Sequence, residues 1–543
     1  MTAILDELKM YTRFAQGLED FLRHPITLQQ AKSLIHQQIE QREDNFLRLV
    51  EKGIFGYPRS PYLPLLKLAH CELGDIENIV RTHGLESALH ALRAAGVYFT
   101  FEEFKGRAPV IRSGHAISVQ ARDFDNPFVR HYYEGRSGGS TGAGTRIATD
   151  LDHLADQTPN ELVSNVAHDV HGVPTAIWFG AFPDGTGFNI AFRFARAGSK
   201  IDRWFSPIAI KDRPPAMKYR LANQFILSMA RLAGATIPSP EPLPLDRAVV
   251  IARWAAEQLR AHQVPFVSTT VSLAVRVSTA AQQAGLNLTG AVLMGGGEPP
   301  TPAKVREISR CGARWIPNYF LSEAGIVGWG CARPVDGNDI HFFKNTLALI
   351  QSPRQITHAD ISVDAFYLTT LLPTSPKLML NVESDDYGLV EQRACGCLLE
   401  QCGFTEHIRH IRSFTKLTGE GVTLVGSEMV RILEEVLPAR FGGSHLDYQL
   451  LEEENDESLT QLSLLVSPRI EIADEAAVID TVLHALEKSS VAADVAGIIW
   501  SQAKTLRVKR MEPVWTSRGK LMPLHLARNS RQKPEAPSSR WNQ

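Results

Sequence analysis

Residues 245–300 decide the fold: LDRAVVIARWAAEQLRAHQVPFVSTTVSLAVRVSTAAQQAGLNLTGAVLMGGGEPP. Ile251, Trp254, Ala255 and Leu259 recur at helical spacing. The run Phe266-Val-Ser-Thr-Thr follows as a buried strand, 272–284 reads as a second helix, and Gly290-Ala-Val-Leu-Met as a second strand. Strands alternating with helices imply βα units and a parallel sheet, in which ligands sit beyond the carboxyl ends of the strands. Gly295-Gly-Gly-Glu-Pro-Pro-Thr-Pro lies at such an end, with Pro302 placed to open the next helix. The following strand, Ala313-Arg-Trp-Ile-Pro-Asn-Tyr, runs into Asn318-Tyr-Phe-Leu-Ser-Glu. Two adjacent strand ends thus carry Glu298 and Glu323, each either a helix cap or solvated carboxylate, or a ligand-facing group.

Outward from this core, Pro174-Thr-Ala-Ile-Trp-Phe is another short buried strand, preceded by a polar helix over 150–169. Residues 136–146 read Arg-Ser-Gly-Gly-Ser-Thr-Gly-Ala-Gly-Thr-Arg. Four glycines let the backbone approach a ligand closely, hydroxyls add donors, and arginines flank both ends, a composition suited to phosphate. A plain surface loop is the alternative, since the spacing of a P-loop or a dinucleotide fingerprint is missing.

Residues 1–95 read as a helical N-terminal extension. Thr27 and Gln30 have capping-box spacing, one helix spans 75–95, and a strand-like run begins at Gly96. The large α/β domain covers 96–412. From 413 to 529 the texture becomes that of a small α+β domain, with a helix near 426–437, strands near 447–451 and 459–466, and a helix over 474–487. Residues 530–543 are a polar tail expected to be disordered.

With 543 residues the chain exceeds the size of one core. Its 44% apolar and 21% charged composition and net charge of −2 give no electrostatic case for nucleic acid or an anionic membrane. The first 23 residues hold Asp6, Glu7, Glu19 and Asp20 and no apolar run, so neither a signal peptide nor a spanning helix is expected, and a cytoplasmic location is. Cys331, His341, Cys395 and Cys397 form a Cys-x9-His and Cys-x-Cys set, enough for a structural Zn²⁺, with Cys402 a spare fourth ligand. Unrelated half-buried thiols are the alternative. Cys71 and Cys311 read as structural.

The order of these pieces resembles the adenylate-forming superfamily of acyl-CoA synthetases, nonribosomal peptide adenylation domains and luciferases, and within it the phenylacetate-CoA ligase-like branch. The resemblance covers roughly 98–526. Ser137, Gly138, Gly139, Ser140, Thr141, Gly142 and Thr145 resemble the phosphate loop, although Gly144 and Thr145 replace its usual Pro and Lys. Gly296, Gly297, Glu298 and Pro299 resemble the segment against adenine. Asn318, Tyr319, Ser322 and Glu323 resemble the Tyr-Gly-x-Thr-Glu segment, with Phe320 in place of the glycine. Asp386 in Ser384-Asp-Asp-Tyr-Gly resembles the ribose-binding aspartate. Pro513-Val-Trp-Thr-Ser-Arg-Gly-Lys resembles the C-terminal signature, with one extra residue, and makes Lys520 the adenylation lysine. Lys416-Leu-Thr-Gly resembles the hinge segment, near 409–419.

The resemblance implies ATP-dependent activation of a small carboxylic acid to acyl-AMP, with Mg²⁺ on Glu323 and Lys520 bridging the carboxylate and α-phosphate. Transfer to a thiol follows, on CoA or on the phosphopantetheine of an acyl carrier protein acting in trans, as the small domain rotates. Transfer to an amine, or a non-catalytic nucleotide-binding homologue, are the alternatives. The resemblance places the acid pocket between 178–188 and 293–297, near Phe320, with a lean towards aromatic acids. Branches with a similar Cys/His site favour the zinc reading.

Overall fold

The computed structural model describes residues 2–129, 132–136, 146–182, 184–207, 217–298, 300, 302–356, 361–413, 416–419, 422–425, 429, 431–444, 447–454, 460–489, 506–514 and 524–526. Its centre is a 12-stranded sheet. In chain order the strands are β1 (Thr175–Trp178), β2 (Arg203–Ser206), β3 (Glu241–Pro242), β4 (Phe266–Thr270), β5 (Val292–Gly296) and β6 (Arg314–Leu321). They continue with β7 (Gly325–Gly330), β8 (Ile340–Phe342), β9 (Leu347–Ile356), β10 (Ile361–Thr370), β11 (Val382–Gln392) and β12 (Glu406–Ser413). Across the sheet they lie in the order 9-10-11-12-8-7-6-5-4-1-2-3.

The six strands from β1 to β6 pair in parallel, and those from β6 onward pair antiparallel. β6 is therefore the seam, parallel to β5 on one edge and antiparallel to β7 on the other. The parallel half follows from the βα alternation of residues 245–300: helices Val249–Arg260 and Val271–Gln283 cover it, with Ile251, Ala255, Val271 and Val275 fully buried. Leu151–Ala167, capped by Asp150 through the amides of Asp152 and His153, packs against the turn into β7, where Gln157 donates to Ala324 O at 3.1 Å.

The capping box at Thr27 and Gln30 forms as its spacing predicts. Two expectations change. The helix over 75–95 is two helices, Leu73–His83 and Leu85–Ala94, because Gly84 takes φ +83°, a conformation that ends one helix and starts the next. The strand-like run from Gly96 makes a single parallel bridge, Phe99 to Val382, instead of a strand. These N-terminal helices are tied to distant chain: Tyr62 donates to Leu378 O at 3.2 Å and accepts from Leu380 N at 2.9 Å, and Asn381 donates to Leu89 O at 2.8 Å.

Beyond β12 a second sheet of four strands forms from β13 (Tyr448–Glu454), β14 (Thr460–Val466), β15 (Leu506–Arg510) and β16 (Leu524–Leu526), in the order 15-14-13-16, with helix Glu475–Ser489 alongside. Within and beyond the helix expected near 426–437, a π-helical turn at Ile432–Val436 leads into Leu437–Phe441, and residues 426–428 and 430 lie outside the described residues. The tail from 530 lies outside the described residues.

Candidate active site and candidate metal centre

The loops at the ends of β5 and β6 come together because glycine allows it. A Cβ on Gly296 would lie 1.9 Å from Asn318 Oδ1, so no other residue permits this approach of the two strands. Gly297 then turns with φ +81°. Glu298 does not point at a ligand. Its side chain is 0% exposed, accepts from Ser272 N at 2.8 Å and Ser272 Oγ at 2.7 Å, and pairs with Lys304 at 2.9 Å. It caps the helix Val271–Gln283 from a neighbouring loop, a favourable place for a carboxylate. This corrects the expectation of a ligand-facing Glu298: any nucleotide contact there falls to the backbone.

Tyr319 and Asp386, far apart in sequence, meet: the Tyr319 hydroxyl donates to Asp386 Oδ2 at 2.7 Å. Burial, and then the adjacent Asp386, push the phenol well above its usual pKa, so it stays a neutral donor. The β6–β7 ladder slips between Tyr319 and Phe320, a bulge at the position where Phe320 stands in for the resembled glycine. Ser384 Oγ accepts from Asp386 N at 3.3 Å, and Asp385 is fully buried with φ +71°. Asn318 and Ser322 are half-buried on the same hairpin.

Glu323, at the turn of that hairpin, is ion-paired with Lys105, the two side chains being 13% and 10% exposed. Burial alone would raise the Glu323 pKa; the charge and hydrogen bond of Lys105, with Lys377 behind it, outweigh that and hold the carboxyl below its ordinary range. Arg107 feels the charges of both Asp385 and Glu323. Lys105, Arg107 and Asp385 were not anticipated from sequence. The local signal was the Thr100/Glu103 capping box, which forms and places Lys105 just after the short helix Phe101–Phe104.

Ser137, Gly138, Gly139, Ser140, Thr141, Gly142, Thr145, Pro299 and Lys520 lie outside the described residues. The strands leading into and out of the glycine-rich stretch, Tyr132–Arg136 and Arg146–Asp150, form an antiparallel hairpin with Arg136 opposite Arg146. The rings expected to line an acid pocket are largely core. Phe182 stacks on Phe188 at 5.2 Å, Phe188 meets Trp204 edge-on at 4.9 Å, Tyr133 meets Phe182 at 5.0 Å, and Trp178 is fully buried. The lean towards aromatic acids loses that support.

At the other end of β7 and β8, Cys331, His341, Cys395 and Cys397 place four ligand atoms within 4.8 Å of one another. His341 Nδ1 lies 2.7 Å from Phe404 O, so this nitrogen carries the proton and Nε2 turns its lone pair to Cys397 Sγ at 3.2 Å and Cys395 Sγ at 3.6 Å. A tetrahedral zinc with Zn–S near 2.3 Å needs edges of about 3.5–3.8 Å; three thiols and one imidazole within 4.8 Å of one another are the donor set and the proximity that such an ion asks for. The backbone amides of Arg333 and Cys397 donate to Cys331 Sγ and Cys395 Sγ at 3.3 and 3.4 Å. Cys402, the spare candidate, is outside this group and packs in the apolar core.

Cys331, Asp339 and His407 also converge. A guanidinium fills that space: Arg393 Nη2 is bonded to Asp339, lies 3.1 Å from His407 Nδ1 and 3.5 Å from Cys331 Sγ. Asp339 Oδ1 holds His407 Nδ1 at 2.6 Å.

No protein-family model matches the chain, and no curated protein matches it in sequence. Among solved structures, a 2-hydroxyisobutyryl-CoA ligase, in complex with 2-HIB-AMP and CoA in the thioesterification state, superposes with a TM-score of 0.51 at 14% identity, over 93% of this chain and 92% of that one. The chain has the fold of this ligase. An amide bond synthetase of Marinactinospora thermotolerans aligns at 11% identity over 94% of this chain and 97% of its own, with a TM-score of 0.39, too low to bear on function. In this fold the β5 loop, the β6–β7 hairpin and the Asp386 strand meet at one end of the sheet, and the Cys/His cluster lies at the other end of β7. No helix among the described residues is long and apolar enough to cross a membrane.

Proposed function

We propose that the protein activates a small carboxylic acid with ATP, forming acyl-AMP and releasing pyrophosphate, and then passes the acyl group to a thiol. The supporting observation is the Tyr319–Asp386 hydrogen bond, which joins the adenine-side hairpin to the ribose-side strand beside Glu323. A carboxylate cannot expel oxide, so its oxygen attacks the α-phosphate of ATP and pyrophosphate leaves. Charge developing on the phosphate is met by amides and hydroxyls of the 137–145 stretch and by Lys520, which bridges carboxylate and α-phosphate. The backbone at Gly296 and Gly297 lies against adenine, and Asp386 accepts from the ribose hydroxyls while Tyr319 holds it in place. Glu323 is the carboxylate that would hold Mg²⁺ with the nucleotide's phosphate oxygens.

The acceptor is CoA or a carrier-protein phosphopantetheine supplied in trans, and the chain belongs with the phenylacetate-CoA ligase-like branch in the cytoplasm. Domain boundaries at 95, 412 and 529 place Lys520 on a small domain whose rotation about 409–419 separates the two half-reactions. Cys331, His341, Cys395 and Cys397 would hold a structural Zn²⁺, which would tie β7, β8 and the loop after β11 together. The test is pyrophosphate exchange over a panel of aryl, fatty and hydroxy acids, with products assayed using CoA, a carrier protein and amines. Lys520→Ala is expected to abolish exchange without unfolding the chain; exchange retained at the wild-type rate overturns the proposal, and an amide product reassigns the second step.

A further inference from the structure

Lys105 is an unusual resident for the carboxylate that is to receive a divalent cation. It stands just after the one-turn helix Phe101–Phe104, which the Thr100/Glu103 capping box fixes and which Arg112 anchors through Glu103 at 2.8 and 2.9 Å. Its Nζ lies over the rings of Phe101 and Phe104, 5.4 and 5.8 Å from their centroids, and is bonded to Glu323. The neighbouring cations are placed differently. Lys377 is bonded to Asp125 at 2.6 Å and to Ala121 O at 2.8 Å, and Arg107 is bonded to Glu102 at 3.1 Å. Both are anchored to carboxylates that the proposed chemistry does not use, whereas Lys105 is bonded to one that it does.

Charge balance decides what happens when nucleotide arrives. A magnesium ion on Glu323 brings two positive charges to an oxygen pair that already holds an ammonium, in a site too dry to screen them. ATP brings the compensating anion, and its β- and γ-phosphates enter with the metal. Resting on the adenylation reading above, we infer that Lys105 is an exchangeable phosphate-binding residue, held by Glu323 in the free protein and transferred to the β/γ-phosphates of ATP, or to pyrophosphate, when they bind. The step moves an ion partner and breaks no covalent bond.

Calorimetric titration of the full-length protein with MgATP, magnesium pyrophosphate and AMP needs no knowledge of the acid. Lys105→Met is expected to weaken MgATP and pyrophosphate by about 10- to 100-fold, the range of a charge-assisted hydrogen bond, and to leave AMP within about threefold, a factor well below one tenfold step. Lys105→Arg should recover most of the loss. Because Met leaves Glu323 buried without its ammonium, Lys105→Met with Glu323→Gln restores neutrality, and its AMP affinity checks that the site is folded. Equal weakening of AMP and ATP in a folded Lys105→Met variant, or no change in either, overturns the inference while leaving adenylation standing. A wild-type protein that binds neither ATP nor AMP overturns the adenylation reading and the inference with it.

Discussion

The Tyr319 hydroxyl and Asp386 Oδ2, 2.7 Å apart and 67 positions apart in sequence, are the buried joint between the seam strand and β11. Tyr319→Phe keeps the ring and removes the donor, leaving a buried carboxylate short of one partner. Stability should fall by about 1–3 kcal/mol, measured as the shift in urea midpoint at constant m-value. Saturating ATP should recover part of the loss, since ribose hydroxyls can donate to the same oxygen.

If the Cys/His cluster is a structural zinc site, freshly purified protein should carry about one zinc per chain, as a single tetrahedral four-ligand set requires. Cys397→Ser should lower that content and the thermal midpoint together, because metal binding to the native state is linked to folding. Zinc that is substoichiometric in fresh protein, with an unchanged midpoint after chelation, removes the assignment.

Arg393 sits among Asp339, His407 and Cys331 and neutralises a carboxylate that is 0% exposed. Arg393→Met should cost about 3–5 kcal/mol, the range for removing one member of a buried ion pair. Adding Asp339→Asn should return a large part of it. A double variant no more stable than the single would show that the pairing is not what Arg393 supplies.

Acid stability should show compensation. Burial lowers His153 to about 3 and His168 to about 4, so between those values and the ordinary histidine pKa of 6.5 the unfolded chain binds more protons and stability falls as pH falls. Burial raises Asp156 and Asp184 from 3.8 to about 6, so in that window the folded chain binds more protons and stability rises as pH falls. Asp156→Asn removes one compensating proton uptake. Its stability should decline on acidification from pH 6 to 4 more steeply than wild type, by up to about 1.4 kcal/mol per pH unit. Chemical denaturation at three pH values checks the slope.

Much of the parallel half was legible because its signals are local. A buried strand of five residues followed by an amphipathic helix announces itself within one window, as at Phe266–Thr270 and Val271–Gln283. The convergence of Cys331, His341, Cys395 and Cys397 was legible from residue type and spacing. What sequence could not give were partners set by the tertiary fold: Lys105 and Glu323 are 218 positions apart, and Arg393 and Asp339 are 54 apart. Glu298 shows the opposite error, a carboxylate in a ligand-like motif whose oxygens are taken by Ser272 and Lys304. The break at Gly84 was readable as a possible helix end, but tolerated mid-helix glycines look the same in one sequence.

The hydrogen bonds from Tyr62 to Leu378 and Leu380 span 316 and 318 positions. During synthesis, the helices around Tyr62 leave the ribosome long before the chain that buries them exists. At roughly 5–20 residues per second this delay is about 15 to 60 seconds. Over that interval Leu65, Leu66 and Phe99, all nearly inaccessible in the finished molecule, have no native surface from residues 378–382 to rest on. A fragment ending before residue 378 should therefore leave that apolar surface open and be less soluble than the whole chain, measured as the soluble fraction of each after expression under one condition.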